Sequence, residues 1–321
     1  MSVIQVISNL KLINVSQRRI RIAWDYTDGA LDFGYDRKFC FRISLYHEID
    51  HSPRYEKDYL NSFVITPFGG GIEGAFPRES EQVFFEDEFP ERFSTGVYHL
   101  EVSVRDHTYC TQFTLFRCDS IKVVIPTVGA ISSGGSCFLI DGDLFGINNW
   151  CVLTNHHALG TKSKASTTSV LFNDTCMVYL KPDIFWATHT NQGANGLDYS
   201  CIALDNAAKS DLSALNMFPN RVISNPNECE NTLMLIHKPA NINRFIYTMV
   251  RVNKHKKVKT HYEYLGNSTS AGSSGSPVFG IFKNAPIGEE GKIVGVCGLH
   301  KAKNICVNIR DVLADIRKTK S

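Results

Sequence analysis

Three side chains that together can carry out acyl transfer occur in order along this chain: His157, Asp198 and Ser274, separated by 41 and 76 residues. Serine catalysis needs a hydroxyl, an imidazole to take its proton, and a carboxylate to orient the imidazole and stabilise its charge. Ser274 lies in the small-residue turn Gly272-Ser273-Ser274-Gly275-Ser276-Pro277, which runs into the apolar stretch Val278-Phe279-Gly280-Ile281-Phe282. Each residue alone has an ordinary structural explanation. Gly/Ser turns are mostly connectors, lone histidines beside strand ends are mostly satisfied polar residues, and an Asp before a strand is a common turn residue. The three together, in sequence and each with apolar flanks, point to a nucleophilic site.

The elements that must hold them are strands. Trp150-Cys151-Val152-Leu153-Thr154 is an apolar strand, with His156 and His157 in the turn just beyond it. Asp198 sits at the mouth of a second strand, Tyr199-Ser200-Cys201-Ile202-Ala203-Leu204. Side chains at strand ends can be fixed by a rigid sheet. The order His, Asp, Ser is that of the chymotrypsin type and not of the α/β-hydrolases or subtilisins.

On these residues the chain resembles the trypsin-like serine peptidases, nearest to the disulfide-free glutamyl-endopeptidase and HtrA kinds and the intracellular trypsin-like domains of animals. The family's Leu-Thr-x-x-His box falls on Leu153-Thr154-Asn155-His156-His157, which selects His157 over His156. Its Gly-x-Ser-Gly-Gly/Ser-Pro box selects Ser274. The resemblance covers Ile121 to Ser321 and implies two six-stranded β-barrels with the triad in the cleft between them. It also implies an oxyanion hole from the backbone N–H groups of Gly272 and Ser274. Ser268, Thr269, Cys297 and His300 would line the primary substrate pocket. Cys297 stands where glutamyl endopeptidases carry a His, and no acidic residue there awaits Lys or Arg. The pocket therefore suits a small, apolar or polar uncharged residue. Ser273 replaces the Asp that binds a new N-terminal ammonium in digestive zymogens, so no activation by N-terminal cleavage is expected. Neither metal nor cofactor is implied.

Other motifs compete. Gly295-Val296-Cys297-Gly298 imitates the nucleophile loop of chymotrypsin-like cysteine proteases, but too few residues follow it to close a second barrel. An α/β-hydrolase order would use Glu289 or Glu290 with His300, too close together for a strand and helix. Gly69-Gly70-Gly71-Ile72-Glu73-Gly74 matches a dinucleotide pattern but has no helix after it, which phosphate binding requires. Lys254-His255-Lys256-Lys257-Val258-Lys259 lacks aromatic interleaving and reads as a solvated hairpin rather than a nucleic-acid surface. A protease fold that has lost activity and serves as a binding or regulatory protein is the alternative function.

The 321 residues, 43% of them hydrophobic, suffice for two cores. Residues 1–118 are expected to form a β-sandwich-like recognition or regulatory domain, and 119–321 the protease domain with a C-terminal helix, an all-β chain overall. In the first part Ile20, Ile22 and Trp24 alternate with polar residues or Ala23. Phe41, Ile43 and Leu45, and then Tyr98, Leu100, Val102 and Val104, show the same period of two. Glu86-Asp87-Glu88-Phe89-Pro90-Glu91 reads as a solvated turn. The charge is close to balanced, with 34 Lys and Arg against 32 Asp and Glu, which gives no reason to expect nucleic acid. The ten cysteines do not follow the secreted pattern: Ala158 and Ser270 occupy positions where secreted trypsins carry Cys. Without a basic leader or a bilayer-length apolar run, the chain is expected to be intracellular, in the cytoplasm, with free thiols. Protein or peptide substrates, and a protein partner for the N-terminal part, are the expected binding partners. For the final helix, Asn308 supplies the cap and Ile309, Val312, Leu313 and Ile316 the apolar stripe.

Overall fold

The computed structural model describes residues 7–26, 37–47, 53–65, 81–91, 93–106, 114–117, 121–192, 196–222, 229–240, 245–252, 261–265, 269, 271–282, 293–302 and 304–320. The glycine loop 69–74, the basic run 254–259, Glu289, Glu290 and the pocket candidate Ser268 lie outside them. The chain divides into two compact units, Met1–Phe93 with Val97–Val124, and Ser94–Gly96 with Ile125–Ser321.

The first unit contains β1 (Ile7–Val15), β2 (Arg19–Tyr26), β3 (Arg37–His47), β4 (Pro53–Ile65), β5 (Glu81–Glu88), β6 (Gly96–Asp106), β7 (Thr114–Arg117) and β8 (Ile121–Ile125). They form two sheets, β1-β2-β5 and β4-β3-β6-β7, with β8 also paired to β6. The alternation read from sequence is realised: Ile20, Ile22, Trp24, Phe41, Ile43, Leu45, Tyr98, Leu100 and Val102 are buried. Trp24 of β2 meets Phe41 of β3 edge to face at 5.2 Å, so side chains of both sheets share this core. Glu86, Asp87 and Glu88 are not a turn; they belong to β5. Cross-strand cations keep the acidic run extended: Arg19 reaches Glu86 and Glu88, and Arg21 reaches Glu86. The Tyr55 hydroxyl donates to Asp87.

The second unit carries two curved sheets. β9 (Val128–Ile131), β10 (Ser136–Asp141), β11 (Trp150–Thr154), β12 (Ser169–Phe172), β13 (Cys176–Tyr179), β14 (Trp186–His189) and β15 (Tyr199–Ala203) form an open sheet in the order β13-β12-β9-β10-β11-β15-β14. This half-barrel has seven strands where the resemblance implied a closed six-stranded one. Its edge strands, β13 and β14, are joined by a connection containing Pro182 and are not paired with each other. There Lys181 donates to the Ala203 carbonyl, and the Ala203 N–H donates to Phe185. β16 (Cys229–His237), β17 (Ile246–Val252), β18 (His261–Leu265), β19 (Pro277–Phe282), β20 (Ile293–Ala302) and β21 (Ile305–Asn308) close into a six-stranded barrel.

Among the described residues four α-helices decorate this unit: α1 (His156–Leu159), α2 (Lys162–Ser166), α3 (Asn206–Ala214) and α4 (Ile309–Lys320). Asn308 accepts the Arg310 N–H at 3.0 Å as the cap of α4, and Ile309, Val312, Leu313 and Ile316 are buried beneath the helix. Arg317 donates twice to the Leu144 carbonyl, which fastens α4 to the half-barrel. Among the described residues no helix is long and apolar enough to cross a membrane. Cys137, Cys151, Cys176, Cys201, Cys297 and Cys306 are buried free thiols.

Candidate active site

The half-barrel brings His157 and Asp198 together through strand register. β11 pairs with β15 so that Thr154 lies opposite Ser200, and the residues just past one strand end face those just before the other. Beyond Thr154 the chain makes a single helical turn, α1, anchored by buried Ala158 and Leu159. His157 Nδ1 lies 2.7 Å from Asp198 Oδ2, and the His157 backbone N–H donates to Asp198 Oδ1 at 3.2 Å. A carboxylate oxygen accepts, so Nδ1 is the donor in this bond and Nε2 is the ring nitrogen that Asp198 does not engage. The Asp198 carbonyl is also engaged, by Asn155 Nδ2 at 2.9 Å and by the His156 N–H.

Asp198 is 1% exposed and has φ 45°, the left-handed region. Non-glycine residues are uncommon there, with Asp among those enriched, and such conformations persist where surrounding bonds over-determine them. Four bonds to α1 and Asn155 supply that constraint. His156 takes a separate partner: its Nδ1 pairs with Thr188 Oγ1 at 2.8 Å, while the Thr188 hydroxyl donates to the Tyr199 carbonyl.

Ser274 comes from the turn before β19. Gly272 and Gly275 both have positive φ, 90° and 86°. The turn is stitched to both sheets. Ser136 of β10 donates its N–H to the Ser274 carbonyl at 2.7 Å and its hydroxyl to the Gly272 carbonyl at 2.8 Å. On the other side Gly275 donates to the His300 carbonyl, and the His300 N–H returns to Ser276. Gly135 touches both neighbours: a Cβ placed there would lie 3.2 Å from Ala158 Cβ and 3.3 Å from the Ser274 carbonyl. The Ser274 loop and α1 are therefore adjacent. The Ser274 hydroxyl donates to the Lys301 carbonyl at 3.1 Å. Among the described residues, the Gly272 and Ser274 N–H groups make no hydrogen bond within the protein.

Sequence reasoning passed over several residues that complete this region. Ser273 Oγ is hydrogen-bonded to His237 Nδ1 at 2.6 Å, and His237 Nε2 to Thr248 Oγ1 at 2.9 Å. Burial pulls the His237 imidazole down to about 4. Lys301 and His261 converge on one carbonyl, that of Gly196: Nζ donates at 2.7 Å and Nε2 at 3.0 Å. Burial lowers the Lys301 ammonium below its ordinary range, opposed by the Asp198 carboxylate. His261 is likewise lowered, first by burial. The available signal was a Lys directly following His300 at the end of an apolar strand, where a charged residue needs a buried partner.

The pocket candidates separate. Thr269 Oγ1 donates to Asn304 Oδ1 at 3.1 Å. His300 is buried, and burial, with lesser effects from His237 and His157, pulls it down to about 3. Cys297 packs in the closed-barrel core with Leu233, Leu235, Val278 and Cys306. Among the described residues no cluster of His, Cys, Asp or Glu is arranged to hold a metal ion. No protein-family model matches this chain, and no curated protein is similar to it.

Proposed function

We propose that this protein is a serine endopeptidase of the trypsin-like kind, with His157, Asp198 and Ser274 as its triad. The observation that carries this reading is the 2.7 Å bond from His157 Nδ1 to the buried Asp198 carboxylate, which leaves Nε2 as a base beside the Ser274 loop. In the reaction Ser274 Oγ leaves the Lys301 carbonyl, gives its proton to His157 Nε2 and attacks a peptide carbonyl. Asp198 stabilises the imidazolium. The Gly272 and Ser274 N–H groups receive the oxyanion; one such donor is worth about 10²–10³ in rate. The imidazolium then protonates the leaving amine, and a water, deprotonated by His157, hydrolyses the acyl-enzyme.

Thr269 and His300 remain the described candidates for a pocket suited to an uncharged side chain; Ser268 lies outside the described residues. Cys297 is better read as core. The two-sheet first unit supports a sandwich-like recognition or regulatory domain that binds a protein partner. Among the described residues, six buried free thiols accord with a reducing, intracellular setting.

A second reading has one observation of its own. The Ser274 hydroxyl donates to Lys301 O and, among the described contacts, not to His157, which leaves room for a protease fold retained for binding alone. Labelling the full chain with a fluorophosphonate and mapping the adduct decides between them. A single adduct on Ser274, absent from Ser274→Ala, supports the peptidase; no adduct from pH 5 to 9 sinks it.

A further inference from the structure

We infer that His237 is a positioning residue for the oxyanion side of the candidate site: by holding the Ser273 side chain at the end of β16, it fixes the peptide unit that carries the Ser274 N–H. The inference deepens the peptidase reading and rests on it for its consequence in catalysis, though not for its geometry.

Ser273 stands between Gly272 and Ser274, the two residues whose N–H groups would receive the oxyanion. Its side chain is 0% exposed, and its Oγ lies 2.6 Å from His237 Nδ1. His237, itself 1% exposed, is fixed in turn by Thr248 Oγ1 of β17, 2.9 Å from Nε2. β16 and β17 pair so that Leu235 lies opposite Thr248, and Leu235 and His237 share a face. The barrel's own register therefore sets the ring. A neutral imidazole has one donor and one acceptor, which two hydroxyls can match in either tautomer. Burial, which pulls the ring down to about 4, keeps it in that form.

The chain that leaves β16 follows the turn residue by residue. The Ala240 N–H donates to the Ala271 carbonyl at 2.8 Å. A Cβ on Gly272 would lie 2.7 Å from both the Lys238 carbonyl oxygen and the Ala240 nitrogen, so backbone meets backbone there. Ser273 comes next, and the same segment meets it through the His237 side chain. The Ser273 carbonyl accepts the Ser276 N–H at 3.2 Å. That carbonyl and the Ser274 N–H belong to one planar trans peptide, so they point in opposite directions. His237 fixes the Cα–Cβ direction of Ser273, and the Ser276 bond then fixes the remaining rotation, ψ. Together they set where the Ser274 N–H points. Without His237 the residue is free to tilt, and the donor tilts with it.

The test combines two measurements on the full chain. The first is the rate of fluorophosphonate labelling of Ser274 in His237→Leu, Ser273→Ala and the double variant. Each single change should slow labelling by about 10²-fold, the scale of one oxyanion donor. Because His237 acts through Ser273, the double variant should be no slower than the slower single variant. Losses that multiply in the double variant, or a parent rate in either single variant, overturn the proposal. The second measurement is amide hydrogen exchange within the turn. In His237→Leu the Ser276 N–H should exchange about 10-fold faster, the scale of one lost hydrogen bond. The Gly275 N–H, bonded to the His300 carbonyl, should keep its native rate. Equal acceleration of both amides would mean general loosening and would overturn the positioning role. Where His237→Leu does not fold, Ser273→Ala gives both readouts. If native Ser274 takes no label, the peptidase reading falls, and the exchange contrast alone decides whether His237 positions the turn.

Discussion

The backbone N–H of Ser136, at the first position of β10, donates to the carbonyl of Ser274 at 2.7 Å. This bond, with the Ser136 hydroxyl on Gly272 and the Thr154 hydroxyl on the Ser136 carbonyl, links the half-barrel directly to the turn that carries the candidate nucleophile. The turn's position is thus set by β10 and β11, the same strands that precede His157.

Gly275 makes that close approach possible, which yields the first prediction. A Cβ at Gly275 would run into the Ser136 carbonyl and the Thr154 hydroxyl, and the residue has φ 86°. Gly134 has φ 100° but open space around it. Gly134→Ala should cost only the conformational strain, about 1–3 kcal/mol. Gly275→Ala should cost more, and a displacement of the turn by about 1 Å should slow fluorophosphonate labelling of Ser274 by about 10²-fold. Urea unfolding and labelling rates measure both, and equal behaviour of the two variants would contradict the packing argument.

Stability should decline in mild acid. His237 and His300 have folded values near 4 and 3 against an ordinary 6.5, both lowered mainly by burial. As pH falls below about 6.5 the unfolded chain binds protons that the folded chain refuses, so the stabilisation present above that pH is lost toward pH 3–4. Each histidine contributes a limiting slope on the order of 1.4 kcal/mol per pH unit. Urea unfolding between pH 8 and 5 should show the decline, and His237→Gln should flatten it. An unchanged slope in that variant would remove His237 from the account.

Much of this was legible in the sequence because strand alternation and short catalytic boxes are local signals. Trp150 to Thr154 reads as a strand, and His157, Asp198 and Ser274 sit at element ends as expected. What was not legible depends on distant pairing. The acidic run at Glu86 looks like a turn until Arg19 and Arg21 are opposite it in β2. Cys297 looks like a pocket residue by alignment, but the pleat turns its side chain into the barrel core. The roles of Ser136, His237 and Lys301 rest on contacts spanning 27 to 138 residues, which no spacing in the chain announces.

The terminal helix should prove a stability element with an uneven energetic distribution. Ile316 is fully buried beneath α4, whereas Arg317 bonds to Leu144 O at an exposed position. Ile316→Ala should cost about 2–5 kcal/mol through lost burial and a cavity. Arg317→Ala should cost about 1 kcal/mol, since water replaces the donor. Denaturant titration of both variants checks the order, and a larger effect at Arg317 would mean that the tie to Leu144 dominates the packing.

Asp198→Asn isolates the carboxylate's chemistry from its structural role. Asn tolerates the left-handed backbone at φ 45° almost as well as Asp, and its backbone carbonyl still accepts from Asn155 and His156. The fold should therefore survive with a similar melting temperature. The amide can present an NH₂ to His157 Nδ1, which favours the tautomer with the proton on Nε2 and leaves no base for Ser274. On the proposed peptidase reading, turnover should fall by about 10⁴-fold, the scale seen when a triad carboxylate is replaced this way. Asp198→Ala should lose stability as well, because the His157 N–H then has no side-chain acceptor. Parallel measurement of kcat and thermal unfolding separates the two effects, and an Asn variant with full turnover would show that Asp198 only shapes the turn.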